Sequence, residues 1–159
     1  KKAMFMTMVM LCFDNKTKKL TFVGAGHEHI LIYRHTTGVV EAVLSGGIAL
    51  GMVPDNSKVI KEREIILEDG DFVILYSDGI TEARSSTEEL YGLERLKAAI
   101  KDYAPQYSAE GVNYHIAKDV TTFMGTRKQE DDMTLIVMKR DSKNTATEKT
   151  KDNSITWAA

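Results

Sequence analysis

From Met4 to Phe13 the chain is apolar at odd and even positions alike, with Phe5, Val9 and Leu11 set against Met6, Met8 and Met10. A strand with one wet face would alternate apolar and polar residues, so this pattern predicts a strand covered on both faces. The polar cluster Asp14 to Lys19 and the return through Leu20-Thr21-Phe22-Val23 predict a hairpin. Beyond Gly24-Ala25-Gly26, Ile30 to Tyr33 reads as a third strand, and Val39 to Leu44, after Thr37-Gly38, as its pairing partner. Gly46-Gly47, Gly51 and Pro54-Asp55 mark a long loop. Val59 to Leu67 and Phe72 to Ser77 are further strands, joined by a tight turn at Glu68-Asp69-Gly70-Asp71.

The period then changes. Leu90, Leu93, Leu96, Ile100 and Tyr103 lie three or four apart and mark one face of an amphipathic helix, which Pro105 stops. Ser108 is placed to cap a second helix with Ala109, Val112, Ile116, Val120 and Phe123 along one face, closed by Gly125. Met133 to Met138 returns to a strand. Antiparallel strands, then grouped helices, then one last strand predict an α+β layered domain over residues 1–140, not a Rossmann-type alternation. The tail 141–159 is rich in Lys, Thr and Asn without periodicity and reads as disordered.

Composition changes this picture little. The chain has 159 residues, enough for one domain that buries roughly 70% of its unfolded surface. With 21 basic and 23 acidic residues the net charge is −2, which gives no reason to expect nucleic acid or an anionic membrane as partner. No apolar run approaches the roughly 20 residues of a membrane span, and the start shows no signal-peptide pattern, so the expected location is the cytoplasm. The lone Cys12 suits a reducing compartment and is expected to pack as a small hydrophobe. It lacks the Cys-x5-Arg loop of a cysteine phosphatase. The eight methionines are expected to fill core.

Two acidic sites stand out. The apolar strand Phe72 to Tyr76 runs straight into Ser77-Asp78-Gly79, which would hold a carboxylate at the end of a rigid element, as metal ligation needs. Asp-Gly is also among the commonest turn pairs. Glu130-Asp131-Asp132 precedes the last strand; adjacent acids form a hard oxygen cluster suited to Mg²⁺ or Mn²⁺, or else a solvated loop guarding a strand end. If the two strands are neighbours, both sites converge, and carboxylates bridging two ions about 4 Å apart would generate hydroxide for attack on a phosphoryl group. His27, His29 and His35 lack zinc-like spacing and read as structural. His115 reads as a helix-edge residue, and Gly46-Gly47 with Gly51 as a turn, since a P-loop would need Lys-Ser/Thr.

The segments Met4-Phe5-Met6-Thr7, Gly24-Ala25-Gly26-His27, Leu50-Gly51-Met52-Val53-Pro54-Asp55, Leu67 to Asp71, Ser77 to Ala83, Tyr91 to Leu96 and Asp131-Asp132-Met133-Thr134 occur in this one order. Together they resemble the RsbU/SpoIIE branch of the PPM family, bacterial relatives of the type 2C protein phosphatases. The resemblance implies an antiparallel β-sandwich flanked by helices and a site of two Mn²⁺ or Mg²⁺ ions. It implies water-mediated hydrolysis of phosphoserine or phosphothreonine, often on a STAS-type anti-sigma-factor antagonist, under an upstream sensor domain. By the same resemblance Asp78 and Asp131 match metal ligands, with Asp132 secondary.

The family's Asp-x-Ser-Gly-His/Lys-Gly segment, whose Asp bridges both metals, has no counterpart before Met4. The expectation is a domain incomplete at its N-terminus and poorly active by itself. Its open sheet edges would need covering by dimerisation, strand swapping or disorder. The rival expectation is a non-catalytic module that keeps the fold to bind a partner.

Overall fold

The computed structural model describes residues 4–142. Strands β1 (Met8–Asp14), β2 (Lys19–Ala25) and β5 (Arg63–Ile66) form one antiparallel sheet in the order β1-β2-β5. Strands β3 (Ile30–Arg34), β4 (Val39–Val43), β6 (Phe72–Tyr76) and β7 (Leu135–Lys139) form a second, ordered β4-β3-β6-β7. A single-turn helix α1 (Asp78–Thr81) follows β6, and α2 (Gly92–Tyr103) and α3 (Ala109–Met124) cover the outer face of the second sheet. The part of the polar tail beyond Ser142 lies outside the described residues.

The second sheet is the middle layer, which explains its unbroken apolar strands. Phe72, Ile74 and Tyr76 of β6, with Leu31 and Tyr33 of β3, pack against Leu96, Ile100, Val112, Ile116 and Val120 of the helices. The alternate residues Val73, Leu75, Ile30 and Ile32 face the other way, onto Leu20 and Phe22 of β2. Side chains of period two thus feed two separate cores. Both helices end as their sequences require: α2 gives out before Pro105. The Ser108 hydroxyl accepts from the Gly111 N–H at 3.2 Å to start α3, and Gly125 closes it at φ 62°.

The first strand departs from expectation. β1 is an edge strand whose Val9 and Leu11 face the inter-sheet core, while Met10 on the other face is 61% exposed. Apolar composition on both faces states what a strand could bury; among the described residues no layer lies over the outer face. Cys12, on that face, is exposed rather than packed. The methionines divide for the same reason: Met124 is buried in the helical core, whereas Met4, Met6, Met10 and Met52 are exposed. The fifth strand is also shorter than its apolar run, because Val59 and Ile60 turn back onto the Asn56 carbonyl.

β5 and β6 are consecutive in sequence but lie in different sheets, so the turn between them is a step across the sandwich. Asp71, 1% exposed, staples that step. Its Oδ1 accepts from the His35 N–H at 2.9 Å. Its Oδ2 accepts from Arg34 Nη1 at 2.9 Å and from the Glu68 N–H at 3.0 Å. A buried carboxylate with three donors and a cationic partner is satisfied.

Candidate metal centre

β6 and β7 are antiparallel neighbours with Tyr76 opposite Leu135, so the chain leaving β6 meets the chain entering β7 at one end of the sheet. Ser77 clasps the two. Its N–H donates to the Thr134 carbonyl at 3.0 Å, its hydroxyl donates to the Asp132 carbonyl at 2.9 Å, and the same hydroxyl accepts from the Thr134 N–H at 2.9 Å. Gly79 completes the join: a Cβ there would sit 2.3 Å from the Asp132 carbonyl oxygen. The Ser77-Asp78-Gly79 and Asp131-Asp132-Met133-Thr134 segments are therefore packed backbone to backbone. The structure brings the segments that carry Asp78, Asp131 and Asp132 together.

All three aspartates are exposed. Asp78 Oδ1 accepts from the Gly79 N–H and Asp131 Oδ1 from the Asp132 N–H, which orients each carboxylate locally. Among the described residues no Lys, Arg or His pairs with any of them. Glu130, the third acid of the run, behaves differently. Arg127 Nη2 donates to it at 2.6 Å and holds its carboxyl below the ordinary range, and Arg84 lies 3.9 Å away. Glu130 is thus neutralised by protein, while its two neighbours are exposed and have no ion partner among the described residues.

Hard oxygen donors without a protein counter-charge have the chemistry that Mn²⁺ or Mg²⁺ requires. Their number falls short of a closed site: among the described residues, no three His, Cys, Asp or Glu side chains gather around one point. The chain fits a divalent ion as the supplier of part of its coordination shell. The same observation leaves His27 and His29 outside any three-ligand group.

Several residues at this end were not singled out as site residues by sequence reasoning. Ser77 and Thr134 lie within the quoted motifs, but their mutual bonding depends on a strand pairing no local pattern encodes. β3 is paired to β6 with Leu31 opposite Ile74, which carries the preceding segment His27-Glu28-His29 to the same end. Burial, and then the nearby Glu28 carboxylate, push the Tyr76 hydroxyl up to about 12. His27 is anchored by Thr7, whose Oγ1 lies 3.2 Å from its Nδ1, and by Ser45, whose hydroxyl donates to its carbonyl. The Met-Phe-Met-Thr and Gly-Ala-Gly-His segments thereby meet in space.

Comparison with known proteins identifies the family. The family model for Stage II sporulation protein E (SpoIIE) matches residues 1–141. The chain is 32% identical over 139 residues to Protein IcfG of Synechocystis sp., covering 87% of this chain and 21% of that protein. It is 31% identical over 142 residues to phosphoserine phosphatase RsbU of Bacillus subtilis, covering 87% of this chain and 40% of that one. The fold matches the SiaA-PP2C domain of Pseudomonas aeruginosa with a TM-score of 0.70 at 19% identity, over 84% of this chain and 51% of that structure. The chain thus spans well under half the length of these two relatives and about half of the matched phosphatase domain. The family match over residues 1–141 and the 31% identity to RsbU, on this sandwich and in this motif order, place the chain in the SpoIIE family, within the RsbU/SpoIIE branch of the PPM protein phosphatases.

Proposed function

We propose that this chain carries the Asp78/Asp131 side of the metal centre of a metal-dependent protein serine/threonine phosphatase. Its substrate is a phosphorylated regulatory protein, of the STAS-type anti-sigma-factor antagonist class. The observation that carries the reading is the Ser77 clasp with the Gly79 seat, which joins two acidic segments whose aspartates have no counter-charge among the described residues. Asp78 and Asp131 are the ligands, Asp132 the secondary one, and the remaining donors come from outside this chain. A bound Mn²⁺ or Mg²⁺ pair supplies an activated water and neutralises phosphoryl charge. The chain's own part is positional: the core strand β6 fixes Asp78, and Ser77 and Gly79 hold the Asp131 loop against it.

The test is Mn²⁺-dependent hydrolysis of a phosphoserine peptide by the full-length protein. Losing a residue that only hydrogen-bonds and orients a metal's ligands costs about 10- to 100-fold, so Asp78→Asn, a direct ligand loss, should cost at least about a hundredfold with an unchanged melting temperature. A wild-type rate in that variant removes Asp78 from the site. That no three-ligand group occurs among the described residues favours one second reading, a partner-binding module that has kept the phosphatase fold. That reading predicts phosphoprotein binding by the full-length protein with no metal-dependent turnover.

A further inference from the structure

Beside the acidic join, between α1 and the segment that follows α3, lies a cleft of about 110 Å³. Its wall includes Gly79 and Asp131, with Glu82, Arg84, Lys128 and Glu130 as its other charged residues. The charges in this wall are not equally engaged. Arg127, just behind it, bridges Glu88 and Glu130. Arg84 donates to the Glu88 carbonyl at 3.2 Å and stands 3.9 Å from the carboxylates of both Glu88 and Glu130. These groups neutralise one another. Lys128, Glu82 and Asp131 remain, each without an ion partner among the described residues.

An ammonium and two carboxylates share one small cleft, and Lys128 pairs with neither carboxylate. A ligand that satisfied this wall would carry positive charge toward the carboxylates and negative charge toward Lys128. A phosphoryl group beside a divalent cation has that order of charges. Lysine also suits the task, as a compact charge with three donors on a flexible stem.

From this arrangement we infer that Lys128 anchors a non-bridging oxygen of the substrate's phosphoryl group in the cleft that it lines together with Asp131. The inference rests on the phosphatase reading and adds the residue that binds the phosphate. The other role open to Lys128 is to offset the negative end of the α3 dipole, since it lies just past the Gly125 cap. That role would show in stability and leave phosphate binding unaffected.

The experiment compares Lys128→Ala and Lys128→Arg with wild type in the full-length protein. Calorimetry measures inorganic phosphate binding in saturating Mg²⁺, and steady-state kinetics follow a phosphoserine peptide. Loss of one charge-assisted hydrogen bond should raise the phosphate Kd and the peptide KM in Lys128→Ala by about tenfold or more. The turnover number should change by less than about threefold, the mark of a uniform binding contact, and Lys128→Arg should recover most of the loss. Unchanged phosphate affinity and KM in Lys128→Ala overturn the inference. So does a lowered melting temperature with unaltered phosphate binding, which assigns Lys128 to the helix end. A wild-type protein with neither Mn²⁺-dependent turnover nor phosphate binding overturns the phosphatase reading and this inference together. An active wild type with an unaffected variant removes Lys128 alone.

Discussion

Replacing Gly79 by alanine sets two physical effects against each other with opposite signs. Gly79 lies in the first turn of α1, where its φ is not positive, so alanine meets no backbone strain. Helix propensity alone then predicts that alanine stabilises, by up to about 1 kcal/mol. The structure predicts the reverse. The new Cβ would lie 2.3 Å from the Asp132 carbonyl oxygen and 3.0 Å from its carbon, both of them backbone. The loop must withdraw by about 1 Å to reach ordinary contact. Overpacking of this kind costs about 1–3 kcal/mol, and the displaced carbonyl also lets go of the Ser77 hydroxyl, worth a further 0.5–1.5 kcal/mol or so. Net destabilisation of about 1–3 kcal/mol is expected, together with weakened Mn²⁺ binding because Asp131 moves with the loop. Urea unfolding and Mn²⁺ titration of Gly79→Ala in the full-length protein read both. A variant as stable as wild type, with equal Mn²⁺ affinity, would refute the backbone-to-backbone join on which the site depends.

Further expectations concern the framework and the chain itself. Asp71→Ala strands the His35 and Glu68 N–H groups and the Arg34 guanidinium at the step between sheets. It should lower unfolding free energy by about 3 kcal/mol or more, measured by urea denaturation. Alkali should weaken the fold through Tyr76 and Tyr91, whose hydroxyls are pushed up chiefly by burial, Tyr91 also through its hydrogen bond to Asp119. A raised folded-state value means that stability is intact below pH 10 and declines as pH rises toward about 12, the Tyr76 value. Tyr76→Phe should flatten that decline in urea midpoints recorded from pH 9 to 12, and an unchanged slope would show that the hydroxyl does not contribute. This chain expressed by itself should hydrolyse p-nitrophenyl phosphate poorly with Mn²⁺. Robust turnover would show that its own aspartates suffice.

Much of the architecture is written in local pattern. The helical stripes of α2 and α3, the Ser108 and Gly125 boundaries and the two hairpins follow from periodicity and turn chemistry, which act between residues close in sequence. The two acidic segments were visible as carboxylates beside apolar strands, and their motif order carried the family likeness. What the pattern could not express was which surfaces meet. The apolar first strand lies at an edge with one face open, because burial depends on a partner layer and not on the strand's own residues. β5 and β6 part into different sheets although one short turn joins them, and Asp71 acquires its role only there. Ser77 and Gly79 gain their meaning from contacts more than fifty residues away along the chain, and Lys128 from a cleft it shares with Gly79 and Glu82. Composition and spacing thus determined the elements and the chemistry on offer, while the pairing of β6 with β7 decided which acidic segments meet, since strand partnership is settled by long-range packing that no local window contains.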